Sequence, residues 1–315
     1  MEFVLAALGL VILLLAGDLL VRGAVNLSLR IGVPALIVSL TIVAFGTSAP
    51  ELLISIAAIQ DGAPGLALGN VVGSNTANVL LVLGLPALIS RIETGAADTR
   101  KSYLAMMAAS VVFIVACYFG PLTWVHGAIL LAFMALILGD QAREAMGHRK
   151  SGGEDDDDLE GVDPEMPGWK IAVFLALGLA GLPLGAHILV DAALVIAADF
   201  GVSDSVIGLT LIAIGTSLPE LATTVMAAIR RQAEVALGNV IGSNVFNLLG
   251  IMGIASLFGD IPVAESFLRV DLWVMLAASA ALAPFVLSSN LRMGRRWGTV
   301  FIGLYLAYLS VVVMA

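Results

Sequence analysis

Long hydrophobic runs fill most of the chain, and short polar, glycine-rich or proline-containing breaks separate them. The runs approach the roughly 20 residues that an α-helix needs to cross a bilayer, and none alternates like a membrane-spanning strand. Because a helix satisfies its own backbone hydrogen bonds within the membrane, the pattern predicts an all-α polytopic membrane protein. We place ten transmembrane helices near residues 3–22, 34–59, 66–89, 102–119, 124–141, 170–198, 205–229, 235–257, 271–288 and 298–314.

Composition narrows the range of functions. Of the 315 residues, 60% are hydrophobic and 12% are charged, whereas soluble domains carry about 25% charged residues. The net charge of −9 and the lack of a basic face exclude nucleic acid as a principal partner. A single cysteine, Cys117, excludes a disulfide framework. Neither HExxH nor GxSxG occurs, so we predict that the protein is not an enzyme and needs no cofactor.

Lysine and arginine fall almost entirely on one side of the predicted bundle. Fourteen of the 15 lie in breaks that follow odd-numbered helices, and only Arg269 lies on the other side. Since positive residues mark the cytoplasmic side, both chain ends are predicted to face outward from the inner (plasma) membrane. No basic residue precedes the first run, so we expect a retained helix rather than a cleaved signal peptide.

The chain contains an internal repeat. Residues 44–84 align without gaps with residues 213–253 at a constant offset of 169, with 19 identities in 41 positions. We therefore divide the chain into a first five-helix repeat, 1–142, a linker, 143–168, and a second five-helix repeat, 169–315. An odd number of helices inverts the second copy, and inverted repeats are typical of secondary transporters with a substrate site near the bilayer midplane.

The predicted linker is strongly acidic. Eight of the twelve residues 154–165 are Asp or Glu, and like charges at this density favour a disordered, solvated segment. The alternative, a cytoplasmic Ca²⁺ sensor, lacks the spacing of an EF-hand. We therefore expect an acidic linker on the cytoplasmic side.

Glu51 and Glu220 occupy equivalent positions in the two repeats, each about halfway along a predicted helix. A carboxylate at the bilayer centre costs roughly 2.5–3.5 kcal/mol on insertion scales, so such residues face the protein interior and meet a partner. No lysine or arginine lies at comparable depth. The expected partner is therefore a mobile cation or a proton, and the alternative is a pair of protonated acids in polar packing.

A proline precedes each of the two acids, as Pro50 and Pro219. Proline lacks an N–H and clashes with the carbonyl four residues back, which frees the carbonyls of Gly46 and Gly215. The Gly-Thr-Ser sequence before each proline favours local unwinding, and freed carbonyls at the end of a half-helix are cation ligands. The same two segments add carbonyl and hydroxyl oxygens from Thr47, Ser48, Thr216 and Ser217.

The helices that follow the two acids carry the related segments Gly69–Asn75 and Gly238–Asn244. The GxxxG spacing of their glycines predicts close helix packing. Their Asn and Ser side chains offer hard oxygen ligands, which suit Ca²⁺ or Na⁺ and not Zn or Cu. The candidate oxygens in and just after these segments include those of Ser74, Ser243, Asn78 and Asn247.

The charge of the predicted site favours exchange over leak. Two carboxylates carry a charge of −2, which one Ca²⁺ or two Na⁺ neutralise, and an empty doubly charged site is costly to rearrange in the membrane. If the protein can change between inward-facing and outward-facing conformations only when an ion is bound, ions that compete for the site are exchanged rather than leaked. The counter-ion could be Na⁺ or H⁺, and a cation channel is the alternative from another class.

The segments GTSAPEL with GNVVGSNTAN, and GTSLPEL with GNVIGSNVFN, closely resemble the α1 and α2 repeats of the cation/Ca²⁺ antiporter superfamily, in its prokaryotic Na⁺/Ca²⁺ exchanger branch. The resemblance implies ten helices, with the second, third, seventh and eighth in the core and the first and sixth sliding past it. The Ca²⁺/H⁺ branch usually has GNxxE in place of GTSxPE, so the resemblance favours Na⁺. Asn at both middle positions is similar to K⁺-independent exchangers.

The resemblance also implies a ligand set, with Ca²⁺ and Na⁺ as substrates. Ca²⁺ would bind the carboxylates of Glu51 and Glu220 and the carbonyls of Thr47 and Thr216. The resemblance implies an inner Na⁺ position at Ala44, Thr47, Ser48, Glu51 and Ser74, and an outer one at Ala213, Thr216, Ser217, Glu220 and Ser243. Asn78 and Asn247 would line the middle. The lipid bilayer is the expected surrounding partner, and the oligomeric state stays open.

Overall fold

The computed structural model describes residues 1–92, 99–151, 163, 165–199, 213–288 and 291–314. Within these ranges the chain is helical, and its β-pairing is limited to two single-residue bridges, Ile92 with Met293 and Leu122 with Ile261. The helices are α1 (Glu2–Ile31), α2 (Ala35–Thr47), α3 (Ala49–Gln60), α4 (Pro64–Ile89), α5 (Arg100–Tyr118), α6 (Trp124–Ser151), α7 (Gly168–Asp199), α8 (Ala213–Thr216), α9 (Leu218–Ile229), α10 (Ala233–Ala255), α11 (Phe267–Leu287) and α12 (Arg295–Met314).

Seven of the described helices are long and apolar enough to cross a membrane, and an eighth span results if α2 and α3 are counted as one bent helix. The prediction of an all-α membrane protein is thus confirmed. The count of ten spans stays a prediction, because α9 has 12 residues and the start of the predicted seventh span, 205–212, lies outside the described residues.

Two helices continue past the bounds that hydrophobicity predicts. α1 runs to Ile31 rather than residue 22, and Gly32 ends it in the left-handed region at φ 68°. α6 runs to Ser151 rather than residue 141, so the predicted linker begins with a helical stretch. An apolar run marks the thickness of the bilayer and not the end of a helix, which explains both extensions. The predicted disorder of the acidic segment concerns residues that, apart from Asp163 and Glu165, lie outside the described part.

The local unwinding predicted before each proline is present. α2 and α3 meet at Ser48 with a bend of 42°, and Ser48 leaves the helical region at φ −87° and ψ 6°. Ser217, between α8 and α9, has nearly the same backbone angles, φ −87° and ψ 5°. Pro50 and Pro219 then fall in the first turn of the following half-helix, where a missing N–H does no harm. Each acid-bearing span is therefore two half-helices joined at a serine.

α4 and α10 form the centre of the bundle. An 18-residue stretch of α10 is wholly buried and one of α4 is 72% buried, against 33% for α1 and 22% for α7. α1 and α7 pack along one another outside this centre. Glycines permit their close contact, because a Cβ at Gly9 would lie 2.7 Å from the Leu189 nitrogen and one at Gly185 would lie 2.8 Å from the Leu13 nitrogen.

The GxxxG glycines of the second repeat pack tightly. A Cβ at Gly238 would lie 2.9 Å from the Leu36 carbonyl oxygen, and one at Gly242 would lie 2.6 Å from that of Leu40, so α10 is sealed against α2. At Gly69, in the first repeat, the nearest described atom is a ring carbon of Phe267 at 3.7 Å. The α2 residues that close Gly238 and Gly242 correspond, at the offset of 169, to residues 205–209, which lie outside the described residues. The packing prediction is therefore tested, and confirmed, only in the second repeat.

Candidate ion-binding site

The two predicted acids lie at the centre of the molecule. Glu51 and Glu220 are fully buried, and each belongs to the first turn of a half-helix, α3 and α9. The N-terminus of a helix carries partial positive charge, which favours a carboxylate at this position. The half-helices that precede them, α2 and α8, end with their C-terminal carbonyls at the same two breaks. Each break therefore presents both a stabilised carboxylate and backbone oxygens.

The breaks of the two repeats meet. Ser48, in the first break, donates a hydrogen bond of 2.9 Å to Oε1 of Glu220. The Thr47 and Ser243 hydroxyls and the Glu51 carboxylate lie near this carboxylate. The structure thus brings together acids that are 169 residues apart in the sequence. It also brings Ser48 to Glu220, whereas the resemblance implies a position for Ser48 beside Glu51.

Many polar atoms of the predicted site residues are buried without a hydrogen-bond partner among the described residues. Buried side-chain polar groups in proteins are nearly always paired, so a cluster of unpaired ones indicates a place for an ion or for water. The atoms are Oε1 and Oε2 of Glu51, Oε2 of Glu220, the hydroxyls of Ser74, Ser217 and Ser243, Oδ1 of Asn78, and both Oδ1 and Nδ2 of Asn247. Oxygen dominates this set, which is the ligand type that Ca²⁺ and Na⁺ accept.

Two asparagines tie the repeats together, and both cross from one repeat to the other. Nδ2 of Asn239 donates to the Glu220 carbonyl at 3.2 Å, while its Oδ1 accepts from the Thr47 hydroxyl at 3.3 Å. Nδ2 of Asn70 donates to the Glu51 carbonyl at 3.4 Å, while its Oδ1 accepts from the Thr216 hydroxyl at 3.5 Å. The two sets of contacts are related by the sequence offset. They hold each acid-bearing turn against the threonine of the opposite break.

The ligand set expected from the sequence does not contain these two asparagines. They fall within the quoted repeat segments, and both copies keep them at the offset of 169. The signal was therefore present, but their part in joining the repeats depends on how the helices cross. A pattern along one chain segment does not give that crossing.

Each GxxxG segment is followed by a π-helical turn that carries one of the two predicted middle residues. Asn78 begins a π-helical turn, Asn78–Val82, and Asn247 lies within another, Phe246–Ile251. Such wide turns are frequent at functional sites, because they rotate side chains away from the regular helical positions. Nδ2 of Asn78 donates to Oδ1 of Asn244 at 3.1 Å, which leaves its own Oδ1 free to face a ligand.

Two alanines complete the expected ligand set. Ala44 is buried, and its carbonyl accepts bonds from the Thr47 hydroxyl at 3.3 Å and the Ser48 nitrogen at 3.1 Å. A cation at this carbonyl would therefore compete with or join those donors. Ala213 begins α8, and its side chain lies outside the described part. Among the described residues no group of three or more His, Cys, Asp and Glu could hold a metal, so the site rests on two carboxylates and neutral oxygens.

Comparison with known proteins places the chain in a family. The model of the sodium/calcium exchanger protein family matches residues 1–140 and 170–314. The chain belongs to this family. Sodium/calcium exchanger proteins are integral membrane transporters and not enzymes; they use no cofactor, and Na⁺ and Ca²⁺ are their substrates. The prediction of the superfamily and of its prokaryotic type is confirmed.

Three relatives show how far the similarity of this exchanger-family chain extends. It is 36% identical to the putative antiporter CaxA of Alkalimonas amylolytica, over 91% of this chain and 89% of the relative. It is 34% identical to the sodium/calcium exchanger MaX1 of Methanosarcina acetivorans, over 99% and 98%. Its structure matches that of the sodium-calcium exchanger NCX_Mj soaked with Na⁺ and Sr²⁺, with a TM-score of 0.82, 31% identity and coverage of 98% and 97%.

Proposed function

We propose that this protein is a secondary active antiporter that exchanges Na⁺ for Ca²⁺ by alternating access, at a midplane site shared by Glu51 and Glu220. The observation that carries the proposal is the meeting of two fully buried carboxylates, one from each repeat, with three oxygens that lack a partner among the described residues. Buried unpaired charge is unstable, so a cation must occupy this site for much of the transport cycle. Membership of the exchanger family supports the same assignment.

Ca²⁺ and Na⁺ occupy different positions in the proposed site because they differ in charge. Ca²⁺ takes the centre, where the carboxylates of Glu51 and Glu220 neutralise it and the carbonyls of Thr47 and Thr216 complete its oxygen shell. Na⁺ binds on either side of the centre, each ion needing one carboxylate and several neutral oxygens. The inner Na⁺ ligands are Ala44, Thr47, Ser48, Glu51 and Ser74; the outer ones are Ala213, Thr216, Ser217, Glu220 and Ser243; Asn78 and Asn247 line the middle.

The proposed architecture has ten transmembrane helices in two inverted five-helix repeats. The repeats are residues 1–142 and 169–315, and the linker 143–168 lies in the cytoplasm. Both chain ends face outward from the plasma membrane, in keeping with the one-sided distribution of lysine and arginine.

Ion flux in proteoliposomes tests the proposal. Vesicles loaded with Na⁺ are diluted into Na⁺-free medium with ⁴⁵Ca²⁺, and uptake is compared with that driven by a pH step alone. We expect uptake that follows the Na⁺ gradient, persists when the pH gradient is collapsed with an ionophore, and is abolished by Glu51→Gln and by Glu220→Gln. A matched control is Glu265→Gln, because Glu265 is an exposed acid that pairs with Arg269.

Three outcomes would contradict the proposal. Ca²⁺ uptake that follows the pH step and does not depend on Na⁺ would identify the protein as a Ca²⁺/H⁺ exchanger. Flux without a counter-ion, or single-channel current, would identify it as a cation channel. Full activity of either Glu51→Gln or Glu220→Gln would exclude a site that needs both carboxylates.

A further inference from the structure

A cavity of about 680 Å³ lies where α4 ends and α12 begins, apart from the ion-binding site. Its lining consists of the last turn of α4, the residues just after it, and the segment that leads into α12. Its described lining contains no acidic residue. Four of the lining side chains are arginines, namely Arg91, Arg292, Arg295 and Arg296.

The cavity has a rigid frame. Ile92 and Met293 form an antiparallel bridge with N–O distances of 2.9 and 3.2 Å, and both are buried, which fixes the backbone next to Arg91 and Arg292. Nε of Arg295 donates to the Leu88 carbonyl at 3.1 Å, so the start of α12 is held on the last turn of α4. The arginines are therefore presented by a defined surface.

Three of the four arginines have no carboxylate partner in the described part of the chain. They are Arg91, Arg295 and Arg296. Guanidinium groups gathered in this way favour an anion with several oxygens, such as a phosphate.

The surroundings of the cavity distinguish a lipid phosphate from a soluble one. Trp297 lies at its edge, half exposed, with its ring packed edge-on against Phe285 at 5.2 Å. One turn and two turns further along the same face of α12, Val300 and Leu304 are exposed. Arginine and tryptophan beside an apolar helix face are typical of the membrane–water interface, where a headgroup meets arginine and acyl chains follow the helix.

We propose that this cavity binds the headgroup phosphate of an anionic phospholipid, whose acyl chains lie along the Val300–Leu304 face of α12. All four arginines belong to the side of the bundle that the distribution of positive residues marks as cytoplasmic. The lipid clamps α12 to α4, a helix of the central pair, and it does so without entering the ion path. The inference is independent of whether Na⁺ or H⁺ is the counter-ion.

Lipid titration followed by native mass spectrometry tests the inference. The detergent-purified full chain is titrated with phosphatidylglycerol, with phosphatidylcholine of the same chains, and with inorganic phosphate as competitor. The variant R91Q/R296Q removes two cavity charges, and R143Q/R231Q is the matched control, because it removes two exposed arginines of the same predicted side outside the cavity. Thermal unfolding checks that each variant is folded. If R91Q/R296Q does not fold, the single variant R296Q, at an exposed position, is compared with the control instead.

We expect the parent chain to bind phosphatidylglycerol at least about tenfold more tightly than phosphatidylcholine, and R91Q/R296Q to lose roughly tenfold while the control loses less than twofold. Equal losses in the cavity variant and the control, or equal binding of the two lipids, would overturn the site. Displacement of phosphatidylglycerol by an equal concentration of inorganic phosphate would overturn the lipid and assign the cavity to a soluble oxyanion.

Discussion

The hydroxyl of Ser48, in the break of the first repeat, donates its hydrogen bond to Oε1 of Glu220 in the second repeat. The equivalent hydroxyl, that of Ser217, has no partner among the described residues, and neither carboxylate oxygen of Glu51 has one. The repeat is thus nearly symmetric in sequence and asymmetric in its hydrogen bonds. In this conformation the two serines do different things: Ser48 stabilises a buried carboxylate, and Ser217 is available to a ligand.

Replacing Ser48 with alanine is expected to destabilise the ion-free protein by about 1–3 kcal/mol, because a buried carboxylate oxygen loses its donor. Saturating Ca²⁺ is expected to shrink this loss, since a bound cation would satisfy the same oxygen. Ser217→Ala is the matched control and should change the ion-free stability little. Thermal unfolding with a chelator and with Ca²⁺ measures both. Equal effects of the two variants, or a loss at Ser48 that Ca²⁺ does not reduce, would contradict the assignment.

The two crossing asparagines are expected to differ in the stability that they provide. Asn239 is fully buried and donates to the Thr224 hydroxyl at 3.0 Å as well as to the Glu220 carbonyl, whereas Asn70 is half-buried with bonds of 3.4–3.5 Å. Asn239→Ala should cost about 2–4 kcal/mol and Asn70→Ala about half of that, because longer and partly hydrated bonds contribute less. Chemical unfolding of the two variants in one detergent makes the comparison. A larger loss at Asn70 would contradict it.

The acids, the prolines and the repeat could be predicted from the sequence, because each is a local feature with a strong physical reason. A carboxylate such as Glu51 within an apolar run is costly anywhere except at a site, and Pro50 beside it forces a break. The partner of Ser48 could not be predicted, since it depends on how two half-helices cross. The same holds for Asn70 and Asn239, whose contacts span the repeats.

The helix ends and the glycine packing also depend on more than the local sequence pattern. Hydrophobicity locates the part of a helix that lies in the bilayer. It therefore does not predict the polar extensions of α1 to Ile31 and of α6 to Ser151. GxxxG spacing describes the surface of one helix and not the element that packs against it. The predicted close packing is confirmed at Gly242, which lies against α2.

The contact between α1 and α7 should tolerate no added volume. A Cβ at Gly185 would lie 2.8 Å from the Leu13 nitrogen, whereas at Gly303 on α12 no atom of the described residues lies within 4 Å. Gly185→Ala is expected to cost about 1–3 kcal/mol through overpacking, while Gly303→Ala should be neutral or stabilise by up to about 1 kcal/mol through helix propensity.

Exchange assays on matched amounts of folded protein extend this comparison to function. If α1 and α7 move together as one unit in the proposed transport cycle, Gly185→Ala should slow Ca²⁺ uptake and Gly303→Ala should not. Loss of activity in Gly303→Ala, or unchanged stability in Gly185→Ala, would contradict the explanation that close α1–α7 packing causes the slower Ca²⁺ uptake.

The ion pair between Asp18 and Arg230 is expected to favour the present conformation. Asp18 belongs to α1 and Arg230 follows α9, and their side chains are 19% and 22% exposed, so the pair is partly shielded from water. Alternating access as proposed moves α1 relative to α9, which would break this contact. Asp18→Asn and Arg230→Gln should each shift the conformational equilibrium by about 1 kcal/mol, roughly fivefold.

Distances between spin labels on α1 and α10 report this equilibrium. The double variant should shift it no further than either single one, because both remove the same contact. The shift should shrink in high choline chloride, where charge interactions are screened over a few ångströms. Lys101→Gln is the control, since Lys101 pairs with Asp140 at 2.7 Å between α5 and α6, away from α1. Additive shifts in the double variant, or an equal shift in the control, would show that the Asp18–Arg230 contact does not set the equilibrium.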